Sequence, residues 1–232
     1  MKLIEKVNSS KAVFFDLFHT LFGFDRSQIR SQHTATLLGI PEESWDHIVF
    51  NKSENRLRGL DRDKYSIIRE LAHQYDPSIS EETIRHAADI RERRFYEGLT
   101  GFRSPRFEVL KRLRQQGEKI GLISNADSIE VLGWFVSEFP QHFDSVTFSY
   151  EIGYLKPEPE IYLHALNTLQ VKADDAIFVG DGGSEELRGA KNLGFTTVMT
   201  TEYTSRLWPG KIDARRQYSD YVVDDLRKLV EE

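Results

Sequence analysis

The chain contains no cysteine among its 232 residues. Disulfides and thiolate zinc sites are therefore excluded, which agrees with a reducing intracellular setting. The chain also lacks an uninterrupted apolar run of about 18 residues, the length that suggests a membrane-spanning helix, and its first residues show no secretory leader pattern. We expect a soluble, cytoplasmic protein with no membrane partner.

Positively charged side chains are outnumbered by negatively charged ones. Lys and Arg number 31 against 37 Asp and Glu, which gives a formal net charge of −6. A chain without a basic field or a long run of Lys and Arg does not attract a phosphate backbone, so we expect no nucleic-acid partner. The hydrophobic content of 39% suffices for one substantial core, or for one core and a small second domain.

The stretch that organises the rest of the chain is residues 12–22. Its apolar start stops at Asp16, which is the pattern of a buried parallel strand whose carboxyl end delivers a carboxylate into a ligand-binding crevice. A core strand that ends in a solvated Asp gives the same pattern. This stretch alone therefore leaves both interpretations open.

Three later stretches favour the crevice, because each places polar residues after an apolar strand or in a turn. They are Ile120-Gly121-Leu122-Ile123-Ser124-Asn125, Gly153-Tyr154-Leu155-Lys156-Pro157, and Ile177-Phe178-Val179-Gly180-Asp181 with Glu185 and Glu186 downstream. The first stretch contains Asp16-Leu17-Phe18-His19-Thr20. In this order and spacing, the four motifs resemble those of the haloacid dehalogenase-like hydrolase superfamily, in its phosphatase and 2-haloacid dehalogenase branch.

The resemblance covers essentially the whole chain and implies its fold. The expected fold is α/β: a Rossmann-like parallel sheet core flanked by helices, made of residues 1–22 and 99–232, with a small four-helix-bundle cap inserted at residues 23–98. Alternation of helices and short strands after residue 102 also predicts such a sheet. Strands are expected to begin near Ala12, Lys119, Val146, Ala176, Thr196 and Tyr221.

Amphipathic periodicity after the first motif predicts four helices. They are expected around residues 27–38, 41–57 and 65–75, and after a Ser80 cap. In the core, a further helix is expected from about Ser128. Residues 204–220 have no readable pattern, and Trp208-Pro209-Gly210 within them indicates an exposed turn.

The resemblance implies a role for each motif residue. Asp16 would be the nucleophile, since a carboxylate held at a strand end can form a covalent intermediate with phosphorus or an sp³ carbon. Asp16 and Asp181 would hold a hard divalent cation, for which Mg²⁺ is the natural choice. The backbone carbonyl of Phe18 and the downstream acid Glu186 would complete this metal site, with Glu185 as the alternative acid. The cation reduces repulsion between a carboxylate nucleophile and an anionic phosphate.

The same resemblance assigns the groups that bind phosphate. Ser124 and the backbone N–H of Asn125 would donate hydrogen bonds to phosphoryl oxygens, and Lys156 would neutralise the charge that develops on them. Lys156 could equally orient Asp16. Thr20 would brace the loop that carries the nucleophile.

The family pattern breaks at Phe18. In phosphatases of the superfamily an Asp stands here and exchanges protons with the leaving group and water, which is typically worth ~10²–10⁴ in rate. An aromatic residue here is typical of the family's 2-haloacid dehalogenases, whose second-motif Ser and downstream Tyr are matched by Ser124 and Tyr162. Those enzymes carry Ser, however, where this chain has Asp181.

Asp181 favours the phosphatase over the dehalogenase, because a second carboxylate beside Asp16 needs a cation to offset the repulsion. The sequence therefore predicts a Mg²⁺-dependent phosphatase that acts on a small phosphorylated metabolite through an aspartyl-phosphate on Asp16. One alternative is a 2-haloacid dehalogenase-type hydrolase with a halogenated acid as substrate. The other is a catalytically impaired module that binds a phosphometabolite or a partner.

Overall fold

A computed structural model describes residues 1–23, 32–102 and 104–231. Its centre is one six-stranded parallel sheet, which confirms the α/β architecture expected from the sequence. The strands are β1 (Ala12–Phe15), β2 (Lys119–Ser124), β3 (Ser145–Phe148), β4 (Ala176–Gly180), β5 (Thr196–Thr200) and β6 (Tyr221–Val223). Their order in the sheet is β3-β2-β1-β4-β5-β6.

Strand β1 lies between β2 and β4, and its residues are fully buried. A strand covered on both faces has no solvent-facing positions, which explains its unbroken apolar run. Val13 and Phe15 pack into the hydrophobic cluster on one face of the sheet, whereas Ala12 and Phe14 pack into the cluster on the other. The first strand therefore anchors both layers of the core.

The chain leaves β1 for β2 on one side and returns on the other side at β4. The carboxyl ends of β1 and β4 thus meet at the point where the strand order reverses. Ligands bind at such switch points in open α/β sheets. The residues that follow these two strands are therefore placed for a functional site.

The helices flank the sheet or lie in the long segment between β1 and β2. The described α-helices are α1 (Leu3–Asn8), α2 (Thr34–Leu38), α3 (Glu42–Asn51), α4 (Glu54–Leu57), α5 (Lys64–His73), α6 (Glu81–Gly101), α7 (Arg106–Gln116), α8 (Ser149–Ile152), α9 (Pro159–Leu169), α10 (Glu186–Asn192), α11 (Thr204–Leu207) and α12 (Ile212–Arg216). In the described part of the chain, none of them combines the length and apolar character needed to cross a membrane.

Helices in the segment between β1 and β2 share a hydrophobic cluster of their own. Its buried side chains include Trp45 of α3, Ile68 of α5 and Ile84 of α6, and Ile129 from the loop after β2 joins them. The apolar residues that periodicity grouped together thus pack together. The division into a cap at residues 23–98 and a core stays a prediction, and α6 continues past residue 98.

One helix of this segment is shorter than expected, and part of another falls outside the described residues. Helix α2 begins at Thr34, while residues 24–31 lie outside the described part of the chain. Helix α3 ends at Asn51, so Leu57 belongs to the separate helix α4. The hydroxyl of Ser53 donates a 2.5 Å hydrogen bond to the carbonyl of Val49, which satisfies that carbonyl without continuing α3.

The prediction of a helix from Ser128 is wrong. Residues 128–133 form turns, followed by a short 3₁₀ helix at Trp134–Val136. The Asp127 carboxylate caps this segment as it would cap a helix, but the backbone at Gly133 packs tightly on α6. A Cβ added to Gly133 would lie 2.8 Å from the carbonyl oxygen of Tyr96. Tight turns allow this close approach.

A buried network of ion pairs joins α4 and α6 to the loop after β2. Arg56 Nη1 lies 2.6 Å from Asp127 Oδ2 and 3.0 Å from Glu130 Oε1. Arg91 Nη2 lies 2.5 Å from Glu130 Oε1, and each of the four side chains is at most 8% exposed. The network fixes the loop after the second motif against the helical segment.

Candidate active site

Asp16 is the first residue after β1, at the switch point of the sheet. Its backbone N–H donates a 2.9 Å hydrogen bond to the carbonyl of Val179 in β4. The hydroxyl of Thr20 donates a 3.0 Å hydrogen bond to Asp16 Oδ2. His19 has a left-handed backbone (φ 63°), and this turn brings Thr20 back to the carboxylate. Asp16 is thereby held in one orientation.

Lys156 bridges two acids of the site. Its Nζ donates a 2.6 Å hydrogen bond to Asp16 Oδ1 and also contacts the carboxylate of Glu186. Asn125 holds Lys156 in turn, because its side chain accepts from the N–H of Lys156 at 2.8 Å and donates to its carbonyl at 3.1 Å. The sequence assigned only the backbone N–H of Asn125 to the site and missed this side-chain contact.

Asp181 and Glu186 complete a buried acidic group with Asp16. One carboxylate oxygen of each residue lies within 4.8 Å of the others. Asp181 directly follows β4, and Glu186 begins α10. Glu185 instead is exposed and pairs with Arg188 at 2.7 Å. Of the two neighbouring glutamates, Glu186 is the one that joins the acidic group.

This acidic group fits a hard divalent cation, because it offers several carboxylate oxygens, the donors that Mg²⁺ prefers. Burial raises the pKa of Asp16, although Lys156 opposes the change. Burial and the charge of Asp16 raise the pKa of Glu186 to about 8. Burial alone would lower the pKa of Lys156, but its two acidic partners raise it. The three acids outnumber the two cationic side chains that contact them, Lys156 and Arg215.

Ser124 is the last residue of β2, the strand beside β1, and its side chain is fully buried. Its hydroxyl has no hydrogen-bond partner within the described ranges of the chain. A buried hydroxyl without a partner is unfavourable until a ligand or water satisfies it. The phosphate contact predicted for Ser124 would satisfy this hydroxyl.

Phe18 packs between the nucleophile loop and the helical segment. Its ring centroid lies 6.1 Å from that of Phe22 and 5.9 Å from that of Phe95 in α6. The residue that replaces the usual proton donor therefore has a packing role. Its backbone carbonyl as a metal ligand stays a prediction.

Sequence reasoning missed residues from the segment 204–220. Arg215 Nη1 of α12 lies 2.5 Å from Asp181 Oδ2. Pro209 and Gly210 are exposed in a short 3₁₀ turn, as expected, but the Trp208 ring is half-buried and lies 4.8 Å from the His19 ring. No local pattern marks these residues, because their partners are distant along the chain.

Comparison with known families agrees with this arrangement. The family model for haloacid dehalogenase-like hydrolases matches residues 10–194, a range that contains all four motifs. The chain therefore belongs to the haloacid dehalogenase-like hydrolase family.

Two curated relatives illustrate the similarity. The chain is 26% identical over 243 residues to a glyceraldehyde 3-phosphate phosphatase of Methanocaldococcus jannaschii, a match that covers 95% of this chain and 96% of that protein. It is 31% identical over 108 residues to bifunctional epoxide hydrolase 2 of Rattus norvegicus. The second match covers 44% of this chain and only 19% of that much longer protein.

Solved structures share the fold along most of the chain. A HAD phosphatase from Thermococcus onnurineus superimposes with a TM-score of 0.62 at 22% identity, covering 95% of this chain and 97% of that one. An L-2-haloacid dehalogenase from Xanthobacter autotrophicus gives a TM-score of 0.57 at 21% identity, covering 95% and 96%. The fold is common to both reactions, so the residues of the site must distinguish them.

Proposed function

We propose that the protein is a Mg²⁺-dependent phosphatase that acts on a small phosphorylated metabolite through an aspartyl-phosphate on Asp16. The observation that carries this proposal is the buried acidic group, in which oxygens of Asp16, Asp181 and Glu186 lie within 4.8 Å of one another. Three such carboxylates exceed the two cationic side chains that contact them, Lys156 and Arg215, so a divalent cation bound among them would reduce their repulsion of an anionic substrate. Relatives named as phosphatases support the same class of reaction.

In the proposed reaction a carboxylate oxygen of Asp16 forms a bond to phosphorus while the bond from phosphorus to the leaving oxygen breaks. Water then hydrolyses the acyl phosphate. Lys156 and Thr20 donate to the two oxygens of Asp16 and so orient the nucleophile. Lys156 also offsets charge on the phosphoryl oxygens, and the free hydroxyl of Ser124 donates to one of them.

The residues that would hold Mg²⁺ are Asp16, Asp181 and Glu186, together with the backbone carbonyl of Phe18. When bound, the ion supplies positive charge that stabilises the phosphoryl oxygens. The donor set and its burial support this assignment.

Phe18 restricts the substrates. Its ring donates no proton to a departing alkoxide, and burial lowers the pKa of the adjacent His19, so that imidazole is largely unprotonated at neutral pH. The protein would therefore favour phosphates whose leaving groups depart without a proton, such as aryl or acyl phosphates. Alkyl phosphates would react more slowly by about 10²–10⁴, the usual contribution of general acid–base catalysis.

The helical segment would cover this site as a cap made of residues 23–98. Its separate hydrophobic cluster supports an independent unit. The contact of Phe95 with Phe18 joins this unit to the first motif, and the ion pair of Arg56 with Asp127 joins it to the loop after β2. A covered site suits a small-molecule substrate. The cytoplasmic location stays a prediction.

A 2-haloacid dehalogenase-type hydrolase is the second candidate. Here Asp16 would displace halide from an sp³ carbon, and no proton donor would be needed at Phe18. Lys156 and Arg215 together contact all three acids of the site, which reduces the need for a metal ion.

Two substrates separate the candidates in one experiment with Mg²⁺ present. We expect release of p-nitrophenolate from p-nitrophenyl phosphate and no chloride from 2-chloropropionate. Chloride release without phosphate hydrolysis would establish the dehalogenase and overturn the proposal. Binding of inorganic phosphate with turnover of neither substrate would indicate the catalytically impaired module.

A further inference from the structure

The segment 204–220 supplies a second cation to the site. Arg215 Nη1 lies 2.5 Å from Asp181 Oδ2 and 3.2 Å from the carbonyl oxygen of Asp181. It also lies 3.5 Å from the hydroxyl of Thr204. Only 16% of the Arg215 side chain and 5% of the Asp181 side chain are exposed, so the ion pair is shielded from water.

The surroundings of Arg215 are shaped to hold a guanidinium. The Trp208 ring centroid lies 5.4 Å from its Cζ, close enough for a cation–π contact. Gly182 has a left-handed backbone (φ 81°), and a Cβ added there would lie 2.8 Å from the Cβ of Arg215. The loop after Asp181 therefore leaves room for this side chain, unlike the surroundings of an ordinary surface arginine.

The two cationic side chains of the site contact different acids. Lys156 contacts Asp16 and Glu186, whereas Arg215 contacts Asp181. Each acid therefore has a cationic partner from the chain itself. Asp181 is also a residue that the proposed function assigns to Mg²⁺, so one carboxylate has two competing cations.

We propose that Arg215 is a resident counter-cation of Asp181 that competes with the divalent cation for this carboxylate and so weakens metal binding. Its hydrogen bond occupies Oδ2 of Asp181, and its charge repels a second cation placed nearby. While the metal is absent, Arg215 neutralises the negative charge of Asp181. This inference rests on the proposed metal-dependent function.

Calorimetric titration of metal-free protein with Mg²⁺ tests the inference. We expect Arg215→Gln to bind Mg²⁺ about tenfold or more tightly than wild type, because loss of one nearby positive charge removes a strong repulsion. Arg215→Lys keeps the positive charge, so its affinity for Mg²⁺ should be closer to that of wild type. Arg216→Gln makes the same change of charge at an exposed neighbour and should leave the affinity unchanged. Asp181→Asn should abolish tight binding in each background.

Failure of the counter-cation proposal and failure of the metal site give different results. Mg²⁺ binding by wild type that is equal to or tighter than binding by Arg215→Gln would overturn the counter-cation and leave the proposed function standing. Absence of binding by both proteins would overturn the metal site and both proposals with it.

A structure of the wild-type protein with Mg²⁺ bound tests the same claim if Arg215→Gln does not fold. We expect Arg215 to have left Oδ2 of Asp181. Arg215 retained on Oδ2 beside the bound ion would contradict the competition.

Discussion

Lys156 Nζ lies 2.6 Å from Oδ1 of Asp16, and both side chains are at most 8% exposed. Because the ammonium also contacts Glu186, one cation serves two buried acids. Lys156 therefore orients the nucleophile and offsets the charge that surrounds it.

Lys156→Met should abolish turnover and destabilise the metal-free protein. Removing one partner of a buried ion pair leaves an uncompensated charge, which typically costs about 3–5 kcal/mol in the free energy of unfolding. Urea unfolding and a turnover assay measure the two effects. Lys228→Met is the matched control, because Lys228 is largely exposed and pairs only at the surface, where such pairs contribute little. Similar stability of both variants would contradict the role of Lys156.

Asp16→Asn should abolish turnover of every substrate that the wild type accepts, because an amide does not form the acyl phosphate. The fold should persist, since an amide oxygen can still accept from Thr20. Asp224→Asn, at an exposed position, is the control and should retain full activity. Mass spectrometry must exclude deamidation back to Asp. Activity of an intact Asp16→Asn protein with an unchanged melting temperature would remove Asp16 from its role.

Variants at Phe18 test whether the leaving group needs a proton. Wild type should strongly prefer aryl to alkyl phosphates in kcat/KM, and Phe18→Asp should narrow this gap by raising alkyl turnover. Phe18→Leu keeps an apolar contact with Phe95 without adding a carboxylate, so it should not narrow the gap. Thermal unfolding must accompany the assay, because truncating a fully buried Phe costs about 3 kcal/mol or more and Phe18 is half-buried. Comparable wild-type turnover of both classes would show that another residue donates the proton.

Glu186 should make stability depend on pH in the metal-free protein. Burial raises its pKa from 4.5 to about 8. Between these values the folded protein keeps a proton that the unfolded chain has lost, so the free energy of unfolding should fall as pH rises and level off above about pH 8. The raised pKa of Asp16 acts in the same direction.

Urea unfolding at several pH values measures this dependence. Glu186→Gln should flatten it, whereas Glu185→Gln, at the exposed neighbouring position, should not. An unchanged pH dependence in Glu186→Gln would show that its carboxyl group does not titrate in this range.

Local patterns in the sequence predicted the strands because each strand lies within a few residues, whereas the acidic group was predicted from the resemblance to the family's motifs. Asp16 and Asp181 each end an apolar strand, and parallel strands bring their carboxyl ends together. The fold thus followed from segments that are individually short.

Contacts between distant segments were not predictable in the same way. Arg215 reaches Asp181 across 34 residues, and the side chain of Asn125 reaches Lys156 across 31. No periodicity marks either residue. The helix expected from Ser128 was wrong for a related reason, since packing of Gly133 against α6 overrides the local capping signal.

The dependence of turnover on Mg²⁺ tests the central claim most directly. Protein stripped with chelator should not hydrolyse p-nitrophenyl phosphate, and added Mg²⁺ should restore hydrolysis in a saturable manner, because Asp16, Asp181 and Glu186 need a cation to accept an anionic substrate. Phosphate hydrolysis that persists unchanged in excess chelator would contradict the account. Turnover of 2-chloropropionate that chelator does not affect, with no hydrolysis of the phosphate at any Mg²⁺ concentration, would contradict it equally.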